Sequence, residues 1–353
     1  MDLSDQTNSP LAILVNSADP FNAKTAVGVL RYGRAPILAL VDPERAGKTA
    51  ADVYGIRPDV PIVASVRDVP AGAGRLLVGI ASRGGQLPDE MRAEIMAAIE
   101  RGMDVYNGLH TFLTHDPGIA EAARAKGVRL VDLRDVPEDL PVGLGLPHRP
   151  GSTVVLTVGS DCNVGKMSVA LELDLLARQR GLSSSFVATG QTGIMIAGSG
   201  IAVDRVISDF MAGAIEQLVV PAAEQHDWVW VEGQGSLFHP GYSGVTMGLM
   251  HGTAPEMMIL CHQPTRTCIR RYDDVPIPSL RTVLRAYEEA ASWRAPSIVV
   301  AVALNTYDLN EAAARDAIKR AEDDLGLPAT DVIRFGAAKL LDAVVGQPAA
   351  AAR

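Results

Sequence analysis

Short apolar runs alternate with stretches of helical spacing along the whole chain, and a chain so patterned can bury its strands only in sheets that helices cover. "LAILV" (11–15), "PILALV" (36–41), "RLLVGI" (75–80) and "VRLVDL" (128–133) predict buried strands. Between them, "PDEMRAEIMAAIERG" (88–102) and "PGIAEAARAKG" (117–127) have helical spacing, a proline near the start and a glycine stop. A second series follows: "TVVLTV" (153–158), "SSFVAT" (184–189), "DWVWV" (227–231) and "SIVVAVAL" (297–304). The stretch 136–151, with Pro137, Pro141, Pro147 and Pro150 among Gly143, Gly145 and Gly151, has no usable period and separates the two series. The expectation is an α/β protein with mainly parallel strands in two domains, residues 1–145 and 146–353.

Composition narrows what these domains can do. Aromatic residues are 5% of a chain that is 48% hydrophobic, so the core must be Val, Ile, Leu and Ala, as parallel sheets require. A net charge of -9 argues against a nucleic-acid or membrane-surface role, both of which need a basic footprint. The amino terminus, "MDLSDQTNSP", is polar, no apolar run is long enough to span a bilayer, and the expectation is a soluble cytoplasmic protein. The alanine-rich tail after Gln347 reads as frayed. Cys162, Cys261 and Cys268 form no CxxC pair, and reduced thiols follow, with Cys162 a small packing residue rather than a nucleophile.

One strand runs into chemistry. "VGSDCNVGKMSVALELDLLARQRG" (158–181) is an apolar strand end, a glycine turn, a lysine and an amphipathic helix that Gly181 closes. Gly165 lets the backbone approach an anion, successive N–H groups can point inward, and Lys166 adds charge at the positive helix end. Residues Gly159, Ser160, Asp161, Cys162, Asn163, Val164, Gly165, Lys166, Met167 and Ser168 are therefore expected to bind a cofactor's phosphates. The pattern G-x-x-x-x-G-K-S/T is not met in full. Ser160 stands at the first glycine position, and Met167 stands where a hydroxyl would ligate magnesium. Ser168 is one residue on, rotated by about 100° around the helix. A diphosphate gripped but never cleaved, as in a coenzyme A thioester, suits such a loop better than ATP does.

The loop "GSDCNVGKM" resembles that of dethiobiotin synthetase and its relatives, and "VEGQGS" (231–236) is similar to their strand ending in V-E-G-A-G-G, whose carboxylate helps hold magnesium. With "ATGQTGIMIAGSGIAVDRVISDFMAGAIE" (188–216), "VEGQGSLFHPGYSGVTMGLMHG" (231–252), "CHQPTR" (261–266) and "NGLHTFL" (107–113), nearly the whole chain closely resembles a bacterial family formerly of unknown function. One branch comprises D-glutamate N-acetyltransferases unrelated to the GCN5 type. The resemblance implies an amino-terminal Rossmann-like domain, a carboxy-terminal P-loop NTPase-like domain, and acetyl transfer from acetyl-CoA to the amino group of D-glutamate.

Amide formation from a thioester needs a base, oxyanion donors and cations for the acceptor's carboxylates. Glu232, ending a strand, is expected either to take the amine proton or, with Ser168, to hold magnesium; otherwise no metal site is read. His239 and His251 flank "HPGYSGVTMGLMH", too rich in glycine for a stable helix, and either could be the base. Gln191 and Thr192, in "GQTG", could offer backbone N–H groups to substrate. Arg266 is the expected carboxylate clamp, whereas Arg270 and Arg271 read as surface charges paired with Asp273 and Asp274. Asp204 could cap or orient a turn, and its spacing to Asp209 makes no paired-carboxylate site. "VGIASRGGQLP" (78–88) ends a strand in a Gly-Gly turn, but without G-x-G-x-x-G no NAD binding is expected. The partner is then a small amino acid, with a homo-oligomer expected from symmetry statistics alone. Two rivals stand: an ATP- and magnesium-dependent ligase or kinase of the dethiobiotin synthetase kind, and a nucleotide-sensing protein without catalysis.

Overall fold

The computed structural model describes residue 3 and residues 9–16, 22–57, 59–81 and 85–347. The alanine-rich tail, most of the amino-terminal segment and residues 82–84 of the Gly-Gly turn lie outside the described residues. The chain divides into two units, Met1–Pro137 with Gly190–Arg205, and Glu138–Thr189 with Val206–Arg353. The sequence puts a single boundary after residue 145, whereas here 190–205 is assigned to the first unit.

The first unit runs β1 (Leu11–Leu14), α1 (Lys24–Tyr32), β2 (Ile37–Val41), α2 (Ala50–Tyr54), β3 (Ile62–Val63), β4 (Arg75–Val78), α3 (Asp89–Glu100), β5 (Asp104–Asn107), α4 (Pro117–Lys126) and β6 (Leu130–Asp132). Its six-stranded sheet has the order β3-β2-β1-β4-β5-β6, every pair parallel. Strand order reverses at β1 and β4, the arrangement of a Rossmann-like sheet. The uniform apolar runs are explained by burial on both faces: Leu76, Val78 and Val105 pack with Ile95 and Ile99 of α3 and Ile119 of α4. Local signals set the helix ends. Asp116 accepts from the N–H groups of Gly118 and Ile119, Pro117 opens α4, and Gly127 stops it in the left-handed region.

The second unit runs β7 (Thr153–Gly159), α5 (Lys166–Gln179) and β8 (Ser184–Val187) before α6 (Gln191–Ala197), which is part of the first unit. It resumes with α7 (Ser208–Gln225), β9 (Trp228–Val231), α8 (Ser243–Thr253), β10 (Met257–His262), the hairpin β11 (Cys268–Ile269) and β12 (Tyr272–Pro276), and α9 (Leu280–Ser292). β13 (Ile298–Leu304), α10 (Glu311–Leu325), β14 (Ala329–Thr330), α11 (Val332–Phe335) and α12 (Ala338–Val345) complete it. Six parallel strands lie in the order β14-β13-β10-β7-β9-β8, so β7 is central and fully buried. Val155, Trp230, Ile259 and Ala301 of this sheet pack with Leu173 of α5 and Leu340 of α12.

One local expectation is overturned. The glycine-rich segment after His239 does form a helix, α8. Its glycines serve close packing: a Cβ at Gly252 would stand 2.5 Å from the Ala212 carbonyl oxygen, and one at Gly248 would stand 2.5 Å from the Met211 sulfur, both on α7. Tertiary contact outweighs the propensity cost of glycine, about 1 kcal/mol per residue. Among the described residues, no helix is long and apolar enough to cross a membrane.

Candidate active site

The phosphate-type loop leaves the central strand β7 and enters α5 through two left-handed residues, Asn163 (φ 54°) and Gly165 (φ 104°). Lys166 is buried, and its Nζ donates to the carbonyl oxygens of Asp161 and Gly235, each at 2.8 Å. Two glycines leave room for that side chain. A Cβ at Gly233 would stand 1.6 Å from the Thr157 oxygen and 2.9 Å from the Lys166 Cδ, and one at Gly159 would stand 3.1 Å from Nζ. The loop is thus a turn wrapped around a buried ammonium group at the start of a 14-residue helix, a geometry that favours an anion.

Asp161 anchors the loop's first half. Its carboxylate is fully buried; Oδ2 accepts from Arg266 Nη1 at 2.8 Å and from the Arg270 N–H at 2.7 Å, and Oδ1 accepts from the Cys162 N–H at 2.6 Å. Arg266 also donates to the Cys162 carbonyl at 2.7 Å and to Gln263 Oε1 at 2.5 Å. The expected carboxylate clamp therefore holds the loop, and Arg270 lends it a backbone donor.

Two residues missed in the sequence complete the support. His262, ending β10, lies with Nδ1 2.8 Å from Ser160 Oγ, and burial with Arg266 nearby pushes its pKa down to about 4. The buried Tyr287 hydroxyl donates to the Gly159 carbonyl at 2.8 Å and accepts from the Leu237 N–H at 3.2 Å, and burial pushes it up to about 12. Neither has a local signal, because β10 beside β7 brings His262 to the loop and the packing of helix α9 brings Tyr287, both from distant parts of the chain.

Glu232 follows β9 and is buried; its Oε2 accepts from the Thr189 N–H at 3.0 Å, and the Thr189 hydroxyl donates to the Glu232 carbonyl at 2.6 Å. His239 stands at the loop. One ligand atom each of Asp161, Cys162 and His239 lies within 4.8 Å of the others. Such a trio could hold a metal ion, yet a cation there would compete with Arg266 for a carboxylate that already has three donors. The His239 Nδ1 accepts from the Gly241 N–H at 3.1 Å, and its ring stacks on Tyr242, centroids 4.4 Å apart. Burial lowers its pKa, so it is neutral at pH 7, with the proton on Nε2.

The remaining expected residues have partners elsewhere. His251 Nε2 lies 3.3 Å from the Ala290 carbonyl on α9, and its ring meets Trp293 edge-on. Gln191 and Thr192 open α6 in the first unit, where the Thr192 hydroxyl lies 3.0 Å from that of Thr25 and Gln191 packs against Gly108. Met167 and Ser168 lie in the first turn of α5, so no hydroxyl stands directly after the lysine.

A family model described as a P-loop domain of unknown function, DUF1611, matches residues 142–341, and its Rossmann-like companion matches residues 43–136. The chain belongs to the DUF1611 family. A D-glutamate N-acetyltransferase from Tritonibacter scottomollicae is 44% identical over 276 residues, covering 78% of this chain and 82% of that protein. A second, from a Pseudoalteromonas species, is 37% identical over 75% of this chain and 79% of its own. The crystal structure of a DUF1611 protein from Anabaena variabilis superimposes with a TM-score of 0.90 at 42% identity, covering 96% of this chain and 100% of that one. This DUF1611 member is accordingly an α/β enzyme of the acyltransferase class, with a Rossmann-like and a P-loop domain.

Proposed function

We propose that the enzyme transfers the acetyl group of acetyl-CoA to the amino group of D-glutamate, with residues 159–168 holding the diphosphate of coenzyme A. The observation that carries this reading is the loop's donor set: a buried lysine and a left-handed glycine turn at a helix start, with Met167 after the lysine and Asp161 tied to Arg266. Lys166 exchanges its two carbonyl partners for phosphate oxygens, and the Nε2–H of neutral His239, at the same loop, donates to the same anion.

The amine nitrogen of the acceptor attacks the thioester carbonyl carbon, the C–S bond breaks, and coenzyme A leaves as the thiol after taking up the proton that the amine gives. The pantetheine arm separates this carbon from the diphosphate by many bonds. Residues that touch the loop therefore act on the cofactor's phosphate end. Magnesium fits this donor set poorly: Asp161 already accepts from three donors, Glu232 accepts from Thr189, and Ser168 is turned away from the position after the lysine.

The test is thiol release from acetyl-CoA in the presence of D-glutamate, with L-glutamate and Mg-ATP reactions beside it. Thiol release that requires D-glutamate and no added metal is expected. ADP formation with magnesium and a carboxylic acid, without thiol release, would establish the ligase reading instead.

A further inference from the structure

Arg266 holds the loop only while its own guanidinium is held in place. Nη1 serves Asp161 and the Cys162 carbonyl, and Nη2 donates to Gln263 Oε1 at 2.5 Å. Gln263 follows the end of β10 and is buried. The other end of its amide, Nε2, donates to Asp308 Oδ2 at 3.0 Å and to the Thr265 hydroxyl at 3.2 Å. That hydroxyl donates in turn to the same Asp308 oxygen at 2.5 Å. Asp308 lies between β13 and α10. Because β13 pairs with β10 and β10 with β7, the bonds from Asp308 through Gln263 and Arg266 to Asp161 cross three adjacent strand ends. All of these residues belong to the second unit.

The two ends of a glutamine amide have nearly the same shape, so its partners decide which way it faces. A guanidinium only donates and a carboxylate only accepts. Between Arg266 and Asp308, the Gln263 amide has one orientation that satisfies both, with its oxygen towards Arg266. Without the carboxylate, Gln263 keeps only the Thr265 hydroxyl, which can accept or donate, and nothing opposes a turn of the amide. A turned amide sets its NH2 group against the guanidinium, donor against donor. The bond from Arg266 to Asp161, which fixes the first half of the loop, then loses its support.

We infer that Asp308 is a positioning residue for the phosphate-binding loop: it locks the Gln263 amide, and through it the geometry of Arg266 and Asp161, in the form that receives the cofactor's diphosphate. Its own hydrogen bonds go to Gln263 and Thr265. Its effect on the cofactor is therefore carried by orientation and not by contact. The inference rests on residues 159–168 holding that diphosphate, as proposed above.

The test reverses the polarity of the pair in the full-length protein. Asp308→Ala is expected to raise Kd for coenzyme A in calorimetry, and KM for acetyl-CoA in thiol release, by about 10-fold, the lower end of what a hydrogen bond to a charged group supplies. For a loss of uniform binding, kcat should stay within about two-fold. Asp308→Asn, whose amide oxygen can still accept, should lose less. Gln263→Glu sets a carboxylate against Asp308, two acceptors face to face, and should bind coenzyme A more weakly than the native protein. Combining Gln263→Glu with Asp308→Asn exchanges the places of amide and carboxylate, so every donor again meets an acceptor, and binding should recover most of the way. A double variant no tighter than Gln263→Glu alone, native-like binding by Asp308→Ala, or a fall in kcat with KM unmoved would overturn the assignment. If the native protein releases no thiol but binds Mg-ATP, and the variants rank in the same order for that ligand, the positioning role stands and the acetyltransferase reading fails. Binding of neither ligand by the native protein overturns both.

Discussion

Asp161 accepts from the Arg266 side chain and from the N–H groups of Arg270 and Cys162, so one fully buried carboxylate fixes the first half of the loop. Breaking a buried pair leaves its partner unmatched, which is why such a residue holds shape better than it serves a ligand that comes and goes. His262 makes the neighbouring position sensitive to acid. Its pKa is pushed down to about 4 in the folded protein, mainly by burial and then by Arg266, against 6.5 when exposed. Between those values the unfolded chain binds a proton that the folded protein refuses, so stability rises with pH across that window. The contribution is whole above about pH 6.5 and lost as pH falls towards 4. Urea midpoints measured across this range should separate the native protein from His262→Asn at neutral pH and bring them together towards pH 4; parallel curves would show that His262 is not the group responsible.

At the scale of elements, the packing of α8 on α7 rests on two glycines with different neighbours. A Cβ at Gly252 meets the Ala212 backbone, which can yield only if the helix moves, while at Gly248 it meets the Met211 side chain, whose sulfur at 2.5 Å can swing aside although its Cγ and Cβ stand at 3.0 and 3.2 Å. Gly252→Ala is expected to destabilise by roughly 1–3 kcal/mol, the usual cost of overpacking. Gly248→Ala should cost less than Gly252→Ala, since the Met211 sulfur can rotate away and helix propensity returns about 1 kcal/mol. Urea unfolding of both variants decides the matter, and equal effects would refute the helix contact as the cause. This is also where sequence reading loses its grip. Runs such as 11–15, 153–158 and 297–304 announce strands because burial on both faces demands unbroken apolar residues. β5, with Asp104 and Asn107 at its ends, carries too weak a pattern, and α8 has glycines that make sense only once α7 is beside it. The loop was legible because its turn and lysine must follow one another in the chain. Its supporters His262 and Tyr287 were not, because strand order brings the first and the packing of helix α9 the second, and neither is encoded in spacing.

On the scale of the whole molecule, the chain leaves the first unit after Pro137, returns for Gly190–Arg205 and leaves again. That excursion supplies structure as well as charge: α6 packs on α1 through the Thr25–Thr192 contact, and Asp204 pairs with Arg134. A chain ending at Pro137 should therefore lack a cooperative thermal transition, and adding residues 190–205 through a flexible linker should restore one. A cooperative transition in the shorter chain would show that the excursion is dispensable for folding. The two-domain rhythm was plain in the sequence, but the excursion was not, since "GQTG" reads as a loop after a strand and nothing in the local pattern marks a return to the first unit. Its deeper consequence concerns descent. No single recombination point can hand the first unit intact to another gene, because part of it is encoded within the reading frame of the second. The two halves must be inherited, duplicated and altered as one, so any drift in the Rossmann-like half is tested at once against the half that carries the loop.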